Sequence, residues 1–317
     1  ANTKNNMTTA EKVNYWEIVK RSFKITIKYK FLWVFGLFVG ITGGSVNIAR
    51  YSSGSGNATS QTLSRSDIQQ GLTDFLSAYW PLIMSIGLVV LILAIVFAVL
   101  AIISQGTLIG SVEKIELGEK IGIKQVWSEG VQYFWKIFAL SLIFGLLSLA
   151  AIMVVLIPSI LLLIFDHLLL GIMMIFLSIL LVVPLVFIFT VVANYAFRFV
   201  VIKEQKIFIS IKSGFALLKH KLGSSIIMTL IILLITTLAS FAIMAVLLIL
   251  LLPLLLMFGV AYAAAQAWGI AAVAVVGGVV VSLFFMALSA VLNTFVSACW
   301  TLFFMQITKP DALPPTR

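Results

Sequence analysis

Charged residues are scarce in this chain. Asp, Glu, Lys and Arg make up only 10% of its 317 residues, whereas 62% are apolar. Soluble domains average about 25% charged and about 45–50% apolar residues. So few charges cannot cover the surface of a water-soluble globule of this size. Several apolar stretches also exceed the roughly 18–20 residues that cross the hydrocarbon core of a bilayer. The sequence therefore predicts an integral membrane protein.

Cysteine and histidine are scarcer still. Cys299 is the single cysteine, which excludes an intrachain disulfide and a cysteine-based metal cluster. The two histidines, His167 and His220, are predicted on opposite sides of the membrane and cannot share a site within one subunit. The sequence contains no glycine-rich phosphate loop, no pair of catalytic carboxylates and no zinc-ligand spacing. We expect no catalytic residue, no cofactor and no metal, and a protein that is not an enzyme.

Six apolar segments are long enough to be transmembrane helices. The predicted spans cover residues 31–49, 80–104, 137–165, 168–195, 224–251 and 272–305, within a single bundle of residues 13–308. Residues 1–12 are predicted to form a disordered tail and residues 309–317 a C-terminal tail. Pro81 is predicted to begin the second span, after a separate surface helix at 67–79. Pro253 is predicted to break or redirect the fifth span, with residues 259–271 as a connector.

The positive charges predict the orientation. Nineteen of the 21 Lys and Arg residues lie in the N-terminal segment, in 114–136, in 198–221 and in the C-terminal tail. Because cytoplasmic loops are enriched in Lys and Arg, this pattern places both termini in the cytoplasm of a plasma or inner membrane. These charges flank apolar segments instead of forming a basic domain, so the net charge of +10 predicts no nucleic-acid partner.

Three basic segments share one layout. Each is amphipathic, contains aromatic residues, carries a small residue near its middle and has a lysine where a span begins. They read WEIVKRSFKITIKYKFLW from Trp16, VWSEGVQYFWKIFALS from Val126 and FISIKSGFALLKHKLGSS from Phe208. The predicted fold is all-α, with three pseudo-repeated units of an amphipathic surface helix followed by a helical hairpin.

This layout, with basic segments such as FRFVVIKEQKIFISIKSGFALLKHKLG, resembles a family of six-span prokaryotic membrane proteins. That family includes the membrane domain sometimes attached to glycerophosphodiester phosphodiesterases. The resemblance covers nearly the whole chain and implies a six-span fold. It carries over no catalytic residue, because catalysis in such proteins belongs to a separate soluble barrel.

Polar residues within the spans are few. Ser289, Asn293 and Ser297 recur every four residues and share one face of the last helix. Such a face either lines a polar path or forms interhelical hydrogen bonds. Arg198 and Lys221 fall at span ends, where we expect their side chains to extend to the headgroups.

Two other sets of residues invite a hypothesis. Glu113, Glu116 and Glu119 recur every three residues, which is a weak cation signal and more typical of a solvated face. Small residues spaced by four allow close helix approach within the bundle or between subunits. They are Gly36, Gly40 and Gly44 in the first span and Ala274, Gly278 and Ser282 in the last.

The leading functional hypothesis is a non-enzymatic membrane protein that organises lipid or acts as a scaffold for a protein partner or a second copy. Its basic amphipathic helices would bind anionic headgroups. The candidate contacts are Lys20, Lys24, Lys28, Lys212, Lys219 and Lys221. The alternative is a transporter or channel for a small or lipidic substrate, with a cavity near Pro184 and the Ser289–Asn293–Ser297 face.

Overall fold

The structure is a computed structural model that describes residues 13–41, 65–119, 121–165, 168–263 and 267–308. Within these ranges every regular element is an α-helix. The helices are α1 (Tyr15–Lys28), α2 (Leu32–Ile41), α3 (Arg65–Glu116), α4 (Ile123–Gln132), α5 (Phe134–Ile164), α6 (Leu168–Ile202), α7 (Ile207–His220), α8 (Leu222–Ala263) and α9 (Ala267–Ile307).

Five helices are long and apolar enough to cross a membrane. The candidate spans are Tyr79–Glu116, Phe134–Leu162, Leu169–Ile202, Leu222–Val260 and Val275–Ile307. They match the second to sixth predicted spans, and they define a multi-pass membrane protein. The first predicted span, 31–49, is described only as the 10-residue α2, and residues 42–49 lie outside the described ranges. At ~15 Å, α2 covers only half of a ~30 Å hydrocarbon core.

Two predicted helix boundaries were wrong. Helix α3 begins at Arg65 and continues through Pro81, so residues 67–79 are not a separate helix. Helix α8 likewise continues through Pro253 to Ala263. In lipid, no water competes for the backbone, and a proline inside a helix is tolerated because local adjustments satisfy the freed carbonyl group. Water-based rules for proline therefore place a helix boundary at Pro81 and at Pro253, where the structure has none.

The short helices α1, α4 and α7 lie together at one end of the bundle, which we call the basic end. Helix α1 packs against α9, α4 against α3, and α7 against α6. Polar contacts join them, since Arg21 pairs with Glu116 and Lys114 pairs with Glu129. The Tyr133 hydroxyl also donates a hydrogen bond of 2.9 Å to Glu204. These contacts bring three regions separated in sequence to one end of the bundle.

The densest packing also lies at the basic end. The largest fully buried side chains include Tyr195, Phe303, Phe304, Leu108, Ile137 and Met228. Away from this end, the same helices expose apolar side chains, such as Leu88, Leu180 and Leu256. Exposed leucines over such lengths are stable only where lipid replaces water. The protein therefore has one compact end and distal helices that face the bilayer.

Candidate functional site

Helix α1 is held by a cap and a buried face. The Asn14 side chain accepts a hydrogen bond from the Glu17 backbone N–H at 3.2 Å, which satisfies one unpaired donor of the first turn. Ile18, Ser22 and Ile25 are buried, on the side where α1 packs against α9. The helix continues into α2, where the Trp33 indole N–H donates 2.8 Å to the Thr26 carbonyl. One side of α1 is therefore buried against the rest of the protein.

The other side of α1 presents two stripes to the surroundings. At about 100° per residue, three exposed apolar side chains lie within about 40° of one another. They are Trp16, Phe23 and Ile27, with Trp16 76% exposed. The adjacent stripe is basic and exposed, and consists of Lys20, Lys24 and Lys28. A helix with a protein face, an apolar face and a basic face is suited to the boundary between acyl chains and headgroups.

Helix α7 repeats this arrangement. Ser210, Gly214 and Leu217 are buried, and Gly214 lies against the α6 backbone. Its exposed apolar residues are Phe208, Ile209 and Phe215, with Phe208 77% exposed. Lys212 and Lys219 are exposed beside them, and Lys221 is partly exposed just past the end of the helix. All six candidate lysines thus lie at the basic end, five of them on α1 and α7 and Lys221 directly after α7.

Helix α4 is a shorter version of the same element. Val126 and Gly130 are its buried residues, and Gly130 packs so closely on α3 that a Cβ there would overlap Thr107 Oγ1. Trp135 follows at the start of α5 and is 74% exposed. The Lys136 ammonium lies 5.8 Å from the Tyr133 ring centroid. Aromatic and basic groups therefore meet on this helix as well, although with fewer lysines.

The predicted acidic triplet does not converge on a cation. Glu116 pairs with Arg21, whose other partner is Glu17, and these hydrogen bonds raise the pKa of Arg21. Glu113 is partly buried, and Glu119 is exposed. Among the described residues, no group of three or more His, Cys, Asp or Glu side chains has the geometry to hold a metal ion.

Tyr133 and Glu204 link the α4–α5 junction to the α6–α7 connection. Burial and the hydrogen bond to Glu204 raise the pKa of Tyr133 to about 12, so the phenol stays protonated and remains the donor. Glu204 has a φ of 51°, a left-handed conformation that is uncommon for a residue with a side chain. The contact therefore holds a tight turn beside α7.

The position of the Arg198 side chain is the clearest difference between the sequence prediction and the structure. We expected its side chain to extend to the headgroups, but the residue is only 3% exposed. Its Nη1 donates to the Asn194 carbonyl at 2.6 Å and to Asn194 Oδ1 at 3.2 Å. Its Nη2 reaches the Ser297 carbonyl of α9 at 3.2 Å, and Nε has no partner among the described residues. Arg198 turns inward because carbonyl oxygens of α6 and α9 replace the headgroups.

The predicted polar face of α9 lies mostly against protein. The Asn293 side-chain amide donates to the Ser289 carbonyl at 2.8 Å and occupies the space where a Cβ at Gly40 would lie. The carbonyl of Ser297 accepts from Arg198 and from Thr301. Thr294, which the sequence interpretation missed, donates 3.2 Å to the Leu32 carbonyl. Its only sequence signal is its place beside Asn293.

The two predicted small-residue runs are placed differently. Gly36 and Gly40 face α9, and Gly44 lies outside the described residues. In α9, Gly278 has open space around it, whereas neighbouring Gly277 packs on Leu254 of α8. Ser282 is exposed and donates to the Val279 carbonyl at 2.9 Å. Ala274 belongs to α9, but its side chain is outside the described set.

The fold and these surfaces define a multi-pass, all-α membrane protein with a basic, aromatic end. The chain belongs to the Family of unknown function (DUF7544), which matches residues 26–312. No curated protein and no solved structure matches the chain. The resemblance to the membrane domain of glycerophosphodiester phosphodiesterases has no support from these comparisons.

Proposed function

We propose that this is a non-enzymatic membrane protein that organises lipid by binding anionic headgroups at its basic end. The observation that carries the proposal is the pairing of stripes on α1 and α7, where exposed aromatic residues flank exposed lysines. Aromatic rings prefer the membrane–water interface. Each Lys near an anionic membrane surface contributes about 1 kcal/mol of attraction. Together these groups favour an anionic lipid over a zwitterionic one.

The alternative, a transporter or channel, has less support. Its candidate polar face includes Asn293 and Ser297, and α2 covers the first while Arg198 engages the carbonyl of the second. The buried guanidinium also ties α6 to α9. Side chains and carbonyls used to join helices do not favour a path for substrate between them.

A sixth crossing is the second part of the proposal. The first residue of α2, Leu32, lies toward the basic end, because it follows α1 directly and its carbonyl accepts a hydrogen bond from Thr294 of α9. Helix α3 runs toward the basic end, because Glu116 near its C-terminus pairs with Arg21. The start of α3 therefore lies at the opposite end, and the chain between Leu32 and Arg65 passes from one side to the other. With six crossings, both termini share the basic side, which the charge bias assigns to the cytoplasm.

Cysteine labelling tests this topology. Cys299 is the only cysteine and is buried, so the wild-type chain supplies an unreactive background. We expect Ser55→Cys to react with a membrane-impermeant maleimide on intact cells, and Ser128→Cys to react only after permeabilisation. If both positions react only after permeabilisation, the sixth crossing is wrong. If Ser128→Cys reacts first and Ser55→Cys does not, the assigned orientation is wrong.

The repeat is also part of the proposal. Ser22 of α1, Gly130 of α4 and Gly214 of α7 are all buried, and each is the eighth residue of its helix. Helix α4 packs on α3 and α7 packs on α6, so each packs on the long helix directly before it in the chain. Helix α1 has no helix before it and packs on α9, the last helix of the chain. This cyclic pattern supports three related units, with α1 on α9 closing the ring.

Charge reversal of four lysines tests the lipid proposal. In vesicles with equal phosphatidylglycerol and phosphatidylethanolamine, we expect the protein to enrich a fluorescent phosphatidylglycerol in its first lipid shell. Replacing Lys20, Lys24, Lys212 and Lys219 with Glu should lower this enrichment at least several-fold, since each charge contributes about 1 kcal/mol. Energy transfer from the protein's tryptophans to the labelled lipid measures it.

The matched control replaces the same four lysines with Arg and should retain the enrichment. Cysteine labelling at Ser128 confirms that both variants keep their orientation. Equal enrichment in the Glu variant and the wild type would show that the lysines serve insertion alone, and would overturn the proposal.

A further inference from the structure

An open groove separates the N-terminal part of α1 from α8. Its volume is about 760 Å³, within the roughly 300–1,000 Å³ of ligand pockets. Apolar residues of both helices line it, among them Val13, Trp16, Val19, Ile231, Leu234 and Ile235. The groove exists because α1 packs against α9 and leaves one apolar side toward α8 unfilled.

The groove connects two depths of the membrane. Ile231 follows the start of α8 by roughly 14 Å along the helix axis, which carries the α8 wall into the hydrocarbon region. The α1 wall lies at the basic end, where Trp16 is exposed. A molecule filling this space therefore has an apolar part beside α8 and a polar part beside α1.

Two lysines follow the groove-lining residues along α1. Lys20 stands one turn beyond Trp16 on the same side of α1, and Lys24 follows one turn later; both are exposed. Neither lysine takes part in an ion pair among the described residues. Asn14, which lines the groove, adds a polar side chain at its rim. This order of apolar wall, aromatic ring and unpaired lysine complements an anionic phospholipid.

We infer that the α1–α8 groove holds one anionic glycerophospholipid, with an acyl chain along α8 and its phosphate beside Lys20. The inference rests on the proposed function and deepens it, because it assigns one specific site within a surface that otherwise recruits lipid broadly. The bound lipid fills the space between α1 and α8 and contacts both helices.

Native mass spectrometry of the full chain tests the site. The protein is purified from vesicles of equal phosphatidylglycerol and phosphatidylethanolamine, and lipid is counted as detergent is increased. We expect one phosphatidylglycerol to persist after the others are lost. Leu234→Trp should reduce its occupancy at least fivefold, because the indole fills the groove. Leu233→Trp is the matched control, since Leu233 is exposed on a different side of α8 and does not line the groove.

Two further arms locate the lipid. Lys20→Glu should replace the retained phosphatidylglycerol with phosphatidylethanolamine, whereas Lys212→Glu on α7 should not. A photoactivatable phosphatidylglycerol in the wild-type protein should cross-link to peptides of α1 and α8. This measurement is independent of any effect of the tryptophan on folding.

The outcomes separate the two proposals. If Leu234→Trp retains the lipid, or if cross-links are spread equally over α1, α4 and α7, the groove site is wrong while general enrichment still supports the proposed function. If the wild-type protein shows no preference for phosphatidylglycerol in any arm, both proposals fail.

Discussion

Gly36→Leu will separate α2 from α9 and cause the largest loss of stability among the glycine variants. A Cβ at Gly36 would overlap both Thr294 Oγ1 and the Ala290 carbonyl oxygen of α9. The carbonyl belongs to a helix backbone and cannot rotate away. Overpacking in a well-packed interior costs about 1–3 kcal/mol, and we expect this variant at or above about 3 kcal/mol. Thermal unfolding in detergent, followed by a thiol-reactive dye that reports exposure of Cys299, measures the loss.

Alanine substitutions give a graded series with an internal control. At Gly130 a Cβ would lie 2.8 Å from the Ile103 carbonyl, and at Gly214 it would lie 3.1 Å from the Val192 carbonyl. Gly145 lies within the α5 span and has open space around it. The expected loss of stability is largest for Gly36 and Gly130, smaller for Gly214, and absent for Gly145, where alanine favours the helix by roughly 0.5–1 kcal/mol. An equal effect at Gly36 and Gly145 would contradict the close packing of α2 on α9.

Arg198→Glu is expected to abolish the folded protein. The substitution places a buried carboxylate against the carbonyl oxygens of Asn194 and Ser297, which now accept from the guanidinium. An uncompensated buried charge costs about 3–5 kcal/mol, most of the stability of a typical domain. Size-exclusion chromatography and tryptophan fluorescence on heating measure the loss, and they avoid Cys299, which lies close to Arg198.

Arg198→Met is the informative counterpart, and we expect it to remain folded. Met removes the buried charge, and the Ser297 carbonyl still accepts from Thr301 at 2.8 Å. The side-chain oxygen of Asn194 loses the Arg198 donor, but Asn194 is only partly buried. Replacing buried ionic groups with apolar residues of similar size is often neutral or stabilising by about 1–4 kcal/mol. If Arg198→Met unfolds the protein as Arg198→Glu does, the link from α6 to α9 is essential for folding and the burial argument is wrong.

Much of the fold could be predicted because the stability of a helix in lipid depends mainly on its own local sequence. Five predicted spans correspond to long apolar helices, since a run of about 20 apolar residues needs no distant partner to be stable in a bilayer. The amphipathic helices were also predictable, because period 3.6 places Trp16 and Lys20 on the outer side of α1 and Ser22 on its inner side. The boundaries at Pro81 and Pro253 failed because water-based rules do not hold in lipid.

The candidate lysines could also be named from the sequence, since exposed charges need only a helix period to be placed. What these lysines can bind depends on the residues that the fold places beside them. That Trp16 borders a groove depends on Leu234, more than two hundred residues away in the chain. No local pattern predicts that α1 leaves this side open.

The sequence by itself determined residence in the membrane, the helical fold and the basic side of the bundle. Composition, apolar run length and charge placement carry that information, and each acts on neighbouring residues or on the solvent. The tertiary structure alone decided that Arg198 turns inward, that α1 packs on α9, and that a groove remains between α1 and α8. Those features depend on contacts between distant residues, such as Leu32 with Thr294, which are separated by 262 positions. Whether a polar side chain reaches headgroups or helix carbonyls is settled by the helix that packs beside it.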